Sequence, residues 1–363
     1  MNFSPDSVSR RHWLATSSAG LLSTLAMGKE PAPAKEDGSV SFFLIGDTHY
    51  LAAKAKPEQL DPISEEMTGR LIDTLNRLPG TEIPKEAGGG KVQNPRGVIH
   101  AGDLIHNGPQ VGKEWEAVIK TEWAGYEAGF GLTGKEGKLK YPVYEVHGNH
   151  DSTNGKGLLI DKLIERNTKR TGVTNLSKNG LHYSWDWGPI HFVNLGILVG
   201  AVEKVARQRR YNSLDSLAFL KSDLETKVGK TGKPVIITHH VDMIRYAQKC
   251  DMIESKIPKE WDPCDVQEYY ETMQSFNIIG IFYGHTHVRN VYRWQGSTEK
   301  AEKGIPVFNV DKASHFSFHE QAFFYFEITE KQMLVREYVS PDRWQTAKWT
   351  PQVWKIDLPL KKD

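Results

Sequence analysis

Five short apolar runs, each leading straight into a small cluster of glycine, acid, amide and histidine, constrain this chain more than any other feature. Residues 40–46 lead into Asp47-Thr48-His49, and residues 97–101 into Gly102-Asp103. Residues 142–146 precede Gly148-Asn149-His150-Asp151, and residues 234–238 precede His239-His240. Residues 278–283 lead into Gly284-His285-Thr286-His287. The runs are rich in Val, Ile, Phe and Tyr and bounded by Gly or Pro, which predicts buried strands. Residues 64–78 place Met67, Leu71, Ile72, Leu75 and Leu78 at helical spacing, and 158–166 and 213–228 read the same way. Strands separated by helices predict an α/β sheet. Two expected hairpins, 182–187 with 190–195 and 323–328 with 333–338, make it a mixed one.

The chain has 363 residues, enough for one large domain or two ordinary ones. Its 46 Lys+Arg balance 45 Asp+Glu, and 39% of residues are hydrophobic. That excludes a strongly basic nucleic-acid coat and a highly charged disordered chain. No apolar run approaches the roughly 20 residues of a membrane span. The two cysteines, Cys250 and Cys264, are too few for a disulfide scaffold or a Cys-rich zinc site. Bonded, they would close a loop worth roughly 3 kcal/mol; two separate thiols are the other reading.

Sites in open α/β sheets form at the carboxyl ends of strands. Five such ends in one crevice would gather carboxylates, imidazoles and an amide. Oxygen and nitrogen donors without thiolate suit Mn, Fe or Zn. There are too many donors for one ion; they suit a pair about 3.5–4 Å apart sharing a carboxylate.

Ser9-Arg10-Arg11-His12-Trp13-Leu14 resembles the twin-arginine export motif. Residues 1–34 are accordingly expected to be a signal peptide and linker, recognised by the twin-arginine export machinery, and 35–363 the catalytic domain. The resemblance implies a periplasmic or secreted protein. The last stretch, 340–363, carries Trp344, Trp349 and Trp354 and is expected to be a tail packing its indoles on the domain surface.

The order Asp-x-His, Gly-Asp, Gly-Asn-His-Asp, His, Gly-His-x-His resembles that of the calcineurin-like metallophosphoesterase superfamily. It covers residues 40 to about 290. The stretch 183–192 is similar to a hairpin of the branch holding purple acid phosphatases and class III cyclic nucleotide phosphodiesterases. The resemblance implies a four-layer α/β/β/α sandwich with mixed central sheets and the metal site at strand carboxyl ends. It implies that Asp47, His49 and His287 bind one ion and Asn149, His239 and His285 the other, with Asp103 bridging. His150 would contact the phosphate and donate a proton to the leaving oxygen, with Asp151 orienting it. A hydroxide bridging the metals would be the nucleophile. His106 stands where purple acid phosphatases have their iron-binding Tyr, and Asn107-Gly108 replaces the protein-phosphatase signature.

The implied function is hydrolysis of a small phosphate ester, with no nucleic-acid partner. The segment 102–108 leans toward diesters or broad specificity. An exported phosphomonoesterase for phosphate scavenging and a non-catalytic metal-binding scaffold are the alternatives. Outside the motifs, His240 is expected behind a ligand or facing substrate, and Arg289 to contact substrate. His315 and His319 could line the rim.

Overall fold

The computed structural model describes residues 39–201, 209–250 and 259–358. The expected export signal and its linker lie outside them. In chain order the first half carries β1 (Val40–Ile45), β2 (Ala52–Ala53), β3 (Lys56–Leu60), α1 (Pro62–Arg77), β4 (Val98–His100), α2 (Lys113–Gly129), β5 (Val143–Glu145), α3 (Leu158–Lys169), β6 (Val173–Leu176), β7 (Tyr183–Trp187) and β8 (Ile190–Asn194). The second half carries α4 (Ser216–Asp223), β9 (Val235–Thr238), α5 (Pro263–Met273), β10 (Ile278–Tyr283), β11 (Asn290–Trp294), β12 (Ile305–Asn309), β13 (Gln321–Ile328), β14 (Gln332–Ser340) and β15 (Lys348–Asp357).

Two mixed sheets result. One runs β15-β14-β13-β1-β4-β5, the other β11-β12-β10-β9-β8-β7-β6. Within the first, β1, β4 and β5 are parallel, and β13 pairs antiparallel to β1. Within the second, β8, β9, β10 and β12 are parallel. All of β1 is buried, as a strand covered on both faces must be. Its alternation splits the side chains: Phe42 and Leu44 join an inter-sheet core with Phe192, Phe282 and Phe326. Phe43 and Ile45 face a separate core with Leu71 and Leu75 of α1 and Tyr126 of α2. A third core packs Leu217 and Leu220 of α4 and Val266 and Tyr269 of α5 against β9 and β10. The layers are therefore α/β/β/α, as expected.

The five motif strands appear within a residue or two of their expected bounds. Helix α1 begins earlier than expected because Asp61 caps it, accepting from the N–H groups of Ile63 and Ser64 at 3.0 Å each. The stretch 213–228 divides into α4 and a π-helical turn, Leu224–Val228. Helices α2 and α5 had no sequence expectation. The expected surface tail is instead an edge strand: β15 pairs antiparallel with β14. Trp344 and Trp349 are buried, and Trp344 Nε1 donates to the Ala313 carbonyl at 2.6 Å. Cys250 and Cys264 are disulfide-bonded, with Cα atoms 4.6 Å apart.

A buried ion cluster clamps the strand that leads to the Gly148–Asp151 motif. Glu145 Oε1, at the end of β5, accepts from Arg166 Nε at 2.7 Å and pairs with Arg170 Nη2 at 2.9 Å. Burial opposes ionisation of Glu145, yet the two guanidiniums hold its pKa down at about 2. Because the folded pKa lies below the ordinary value of 4.5, the associated stability is present above about pH 4.5 and fades as pH falls toward 2. Glu145→Gln leaves two buried cations without a counter-charge and is expected to cost about 3–5 kcal/mol in urea unfolding at pH 7. The gap from wild type should narrow as pH drops below 4.5; equal stabilities at pH 7 would contradict the clamp.

Candidate metal centre

The loops after β1 and β4 are laced together by their backbones. Asp47 N–H donates to the Gly102 carbonyl at 2.9 Å, and His49 N–H to the Asp103 carbonyl at 3.0 Å. Five of the nine non-glycine residues with positive φ among the described residues are Asp47, His49, Asp103, His285 and His287. Such backbone strain persists only where the surroundings over-determine it, and it concentrates at functional sites. Two motif glycines are there for space. A Cβ on Gly284 would lie 2.3 Å from Asp47 Oδ2, and one on Gly148 would lie 2.2 Å from Asp103 Oδ1.

Two groups of donor atoms that share Asp103 result, beside a third made of His49, His106 and His315. In the first, His287 Nε2 lies 3.3 Å from Asp47 Oδ1 and 3.3 Å from His49 Nε2. His49 Nε2 lies 3.5 Å from Asp103 Oδ2. In the second, His240 Nε2 lies 3.2 Å from the same Asp103 Oδ2 and 3.1 Å from Asn149 Oδ1. His285 Nδ1 lies 2.7 Å from Asn149 Oδ1. The outward nitrogens of His240 and His49 are occupied. His240 Nδ1 donates to the Ala101 carbonyl at 2.7 Å, which turns its Nε2 lone pair inward. His49 Nδ1 meets His106 Nδ1 at 3.2 Å.

The electrostatics fit a cationic occupant. Burial works against ionisation of Asp47 and Asp103, yet the surrounding histidines hold both well below the ordinary carboxylate value. Burial likewise opposes a charged His240, but Asp103 raises it to about 9. Two buried carboxylates among converging imidazole nitrogens need positive charge between them. The all-oxygen-and-nitrogen donor set suits a borderline or hard divalent ion.

Asp47, His49, Asp103, Asn149, His285 and His287 are all brought together. His239 is not, and His240 stands in its expected place. A residue shifted by one along a strand end points to the opposite side. His239 is enclosed by Trp261, Tyr269 and Tyr283, with ring centroids 5.1, 5.6 and 6.2 Å away. Neither of its ring nitrogens has a hydrogen-bond partner, and burial pushes its pKa down to about 3.

Asp151 does not reach the His150 side chain. It is buried and accepts from the N–H groups of Leu104, Ile105 and Gly148 at 2.7–3.1 Å, pinning the two motif loops together. Burial and the Asp103 charge raise its pKa to about 8. The His106 carbonyl orients His150 instead, accepting from Nδ1 at 2.9 Å. Arg289 is drawn away from the centre by Asp311, Glu320 and Glu337, at 2.8, 2.9 and 3.2 Å.

Of one wall of the site, made by His106, His315 and Phe316, sequence reasoning missed only Phe316. His106 stacks on His150 at 4.8 Å, and Phe316 lies edge-on to His106 at 5.0 Å. His315 approaches His49 to 4.4 Å and His287 to 4.9 Å, so it lines the site. Of this segment, the histidine pair 315 and 319 was the only sequence signal; His319 is exposed.

The sequence pattern described as calcineurin-like phosphoesterase matches residues 40–289, more than half of the chain. No curated protein matches the sequence. Among solved structures, a dimetal phosphatase from Danio rerio superposes with a TM-score of 0.50 at 13% identity, covering 88% of this chain and 99% of that one. A purple acid phosphatase from yellow lupin (Lupinus luteus) seeds gives a TM-score of 0.51 at 15% identity, over 88% of this chain and 54% of its own. At these identities the likeness is one of fold.

His240→Ala and His239→Phe separate the two neighbours. After loading with Mn²⁺, His240→Ala is expected to lose at least one ion by elemental analysis. His239→Phe fills an aromatic enclosure and should keep the wild-type content. The opposite pattern would return the donor role to His239.

Proposed function

This chain belongs to the calcineurin-like phosphoesterase family and is a hydrolase of phosphoric ester bonds, and from that premise we propose that its two donor groups hold a pair of Mn, Fe or Zn ions. The observation that carries the reading is the membership of Asp103 in both groups. Asp47, His49 and His287 complete one group; Asn149, His240 and His285 complete the other. Bound there, such ions neutralise the ester's charge, orient its oxygens and lower the pKa of water.

The chain's own residues supply the rest. Asp103 Oδ1 accepts the His150 N–H at 2.8 Å, so the shared carboxylate also fixes the backbone of His150. With Nδ1–H committed to the His106 carbonyl, Nε2 is the nitrogen left to carry a proton to the leaving oxygen. The edge-on contact with His49, centroids 4.6 Å apart, keeps the ring beside the first group. Asp151 supports this arrangement through the loops it joins.

The substrates we assign are small phosphate esters, with diesters or a broad range favoured by the pattern of residues 102–108. A place outside the cytoplasm is supported by the twin-arginine-like N-terminus and by the Cys250–Cys264 bond, which an oxidising compartment permits. No described helix is long and apolar enough to cross a membrane.

Hydrolysis of bis-(p-nitrophenyl) phosphate and p-nitrophenyl phosphate by Mn²⁺-loaded protein tests the reading. The diester rate is expected to exceed the monoester rate, and Asp103→Asn to abolish both with loss of metal. A higher monoester rate would make the enzyme a phosphatase. No activity above that variant with both ions bound would leave only the scaffold. His150→Ala should keep its metal and lose roughly 10²–10⁴-fold on alkyl esters, less on nitrophenyl esters. Wild-type turnover of an alkyl ester by His150→Ala would refute the acid role.

A further inference from the structure

Outside the motifs, one carboxylate reaches a clustered imidazole from behind. His285 turns Nδ1 toward Asn149 inside the second group, and its Nε2 lies 3.2 Å from Glu260 Oε2. Glu260 is largely buried, with a side chain 15% exposed. Four further donors converge on it from two segments. Tyr246 OH donates to Oε2 at 2.6 Å and Tyr211 OH to Oε1 at 3.2 Å. Arg245 Nη2 and Arg210 Nη1 approach at 3.3 and 3.4 Å. Each guanidinium lies over its own neighbouring tyrosine ring, 5.3 Å away for Arg245 and 5.5 Å for Arg210. Glu260 also falls within the loop closed by the Cys250–Cys264 bond, four residues before Cys264.

We propose that Glu260 is a positioning residue for the second metal group. It holds His285 in the tautomer with the proton on Nε2, so that the Nδ1 lone pair faces Asn149, His240 and Asp103. This rests on the two-ion reading above. A ligating imidazole that gives its other N–H to a carboxylate is fixed in rotation and made more basic, and loss of such a partner typically weakens metal binding about 10–100-fold. Two other imidazoles of the site turn their outward nitrogens to groups other than a carboxylate: His49 faces the imidazole of His106, and His240 a backbone carbonyl. The dependence on Glu260 therefore belongs to the second ion alone. The tyrosines and arginines hold the carboxylate in place, and the disulfide shortens the chain that carries it.

Calorimetric titration of the metal-free protein with Mn²⁺, with ion counts by elemental analysis, tests the assignment. Wild type is expected to bind two ions. Glu260→Gln should bind the first with wild-type affinity and the second about 10–100-fold more weakly. Glu260→Asp should recover part of the loss, and Tyr246→Phe should show a smaller loss of the same kind. Melting temperatures of the metal-free proteins should agree. Wild-type affinity for both ions in Glu260→Gln would overturn the role of Glu260. So would equal weakening of both ions together with a lower metal-free melting temperature, which would mean a purely structural part. A wild-type protein that binds a single ion would instead sink the two-ion reading, and this inference with it.

Discussion

The site depends on the buried charge of Asp103. Its side chain is 1% exposed, and removing a carboxylate from water costs several kcal/mol unless partners replace the lost solvation. One oxygen takes the His150 N–H; the other faces His49 and His240. His49 and Asp103 follow strands of the six-stranded sheet, whereas His240 follows a strand of the seven-stranded one. One carboxylate thus ties together the carboxyl ends of both sheets, and the demand for compensating charge falls where they meet. Without an ion between the groups, protons must supply that charge, which is why Asp103 raises His240. A metal bound there would displace those protons, which would link occupancy to pH and to the stability of the strand ends.

Holding donors this close requires unfavourable backbone. Asp47, His49 and Asp103 take left-handed conformations in two loops that hydrogen-bond each other, and His285 and His287 do so in a third. The His285 N–H donates to both Asp47 oxygens, at 3.1 and 3.2 Å. Asp151 joins two loops by accepting three backbone N–H groups. The strain is therefore met by hydrogen bonds among the motif loops, some within the donor set and some accepted by Asp151 outside it. A carboxyl group outside the donor groups, such as that of Asp151, can still matter for turnover through this lacing.

The fold and most of the donors were legible because strand ends announce themselves. An apolar run such as 278–283 stopping at Gly284-His285 is both a buried strand and a placed histidine. Asp47, His49, Asp103, Asn149, His285 and His287 all follow that rule. His239 broke it because two adjacent histidines follow Thr238, and only local backbone geometry decides which one turns inward. Asp151 was misread because a carboxylate next to His150 in sequence bonds the backbone of other loops. Arg289 was misread because its three carboxylate partners come from segments beginning at Asp311. Helices α2 and α5 escaped because Trp, Tyr and Glu side chains blur their apolar stripes. Strand β15 escaped because half of its residues are exposed and only two are buried, as befits an edge strand.

The two donor groups are unequal in charge, and this explains where outside support is needed. The first has two carboxylates, Asp47 and Asp103, beside neutral neighbours: burial pushes His106 down to about 3 and His315 to about 2. The second has only the shared Asp103 and supplements it with the uncharged amide of Asn149. A cation placed there meets less negative charge directly. Glu260 adds a carboxylate one imidazole further out, 3.2 Å from His285 Nε2, where it would act on a bound ion through that ring. The tyrosines and arginines around Glu260 then have a reason to be there. They aim its carboxylate at His285, which does most to hold its pKa down at about 2 against burial, with Tyr246 and Arg245 adding to that.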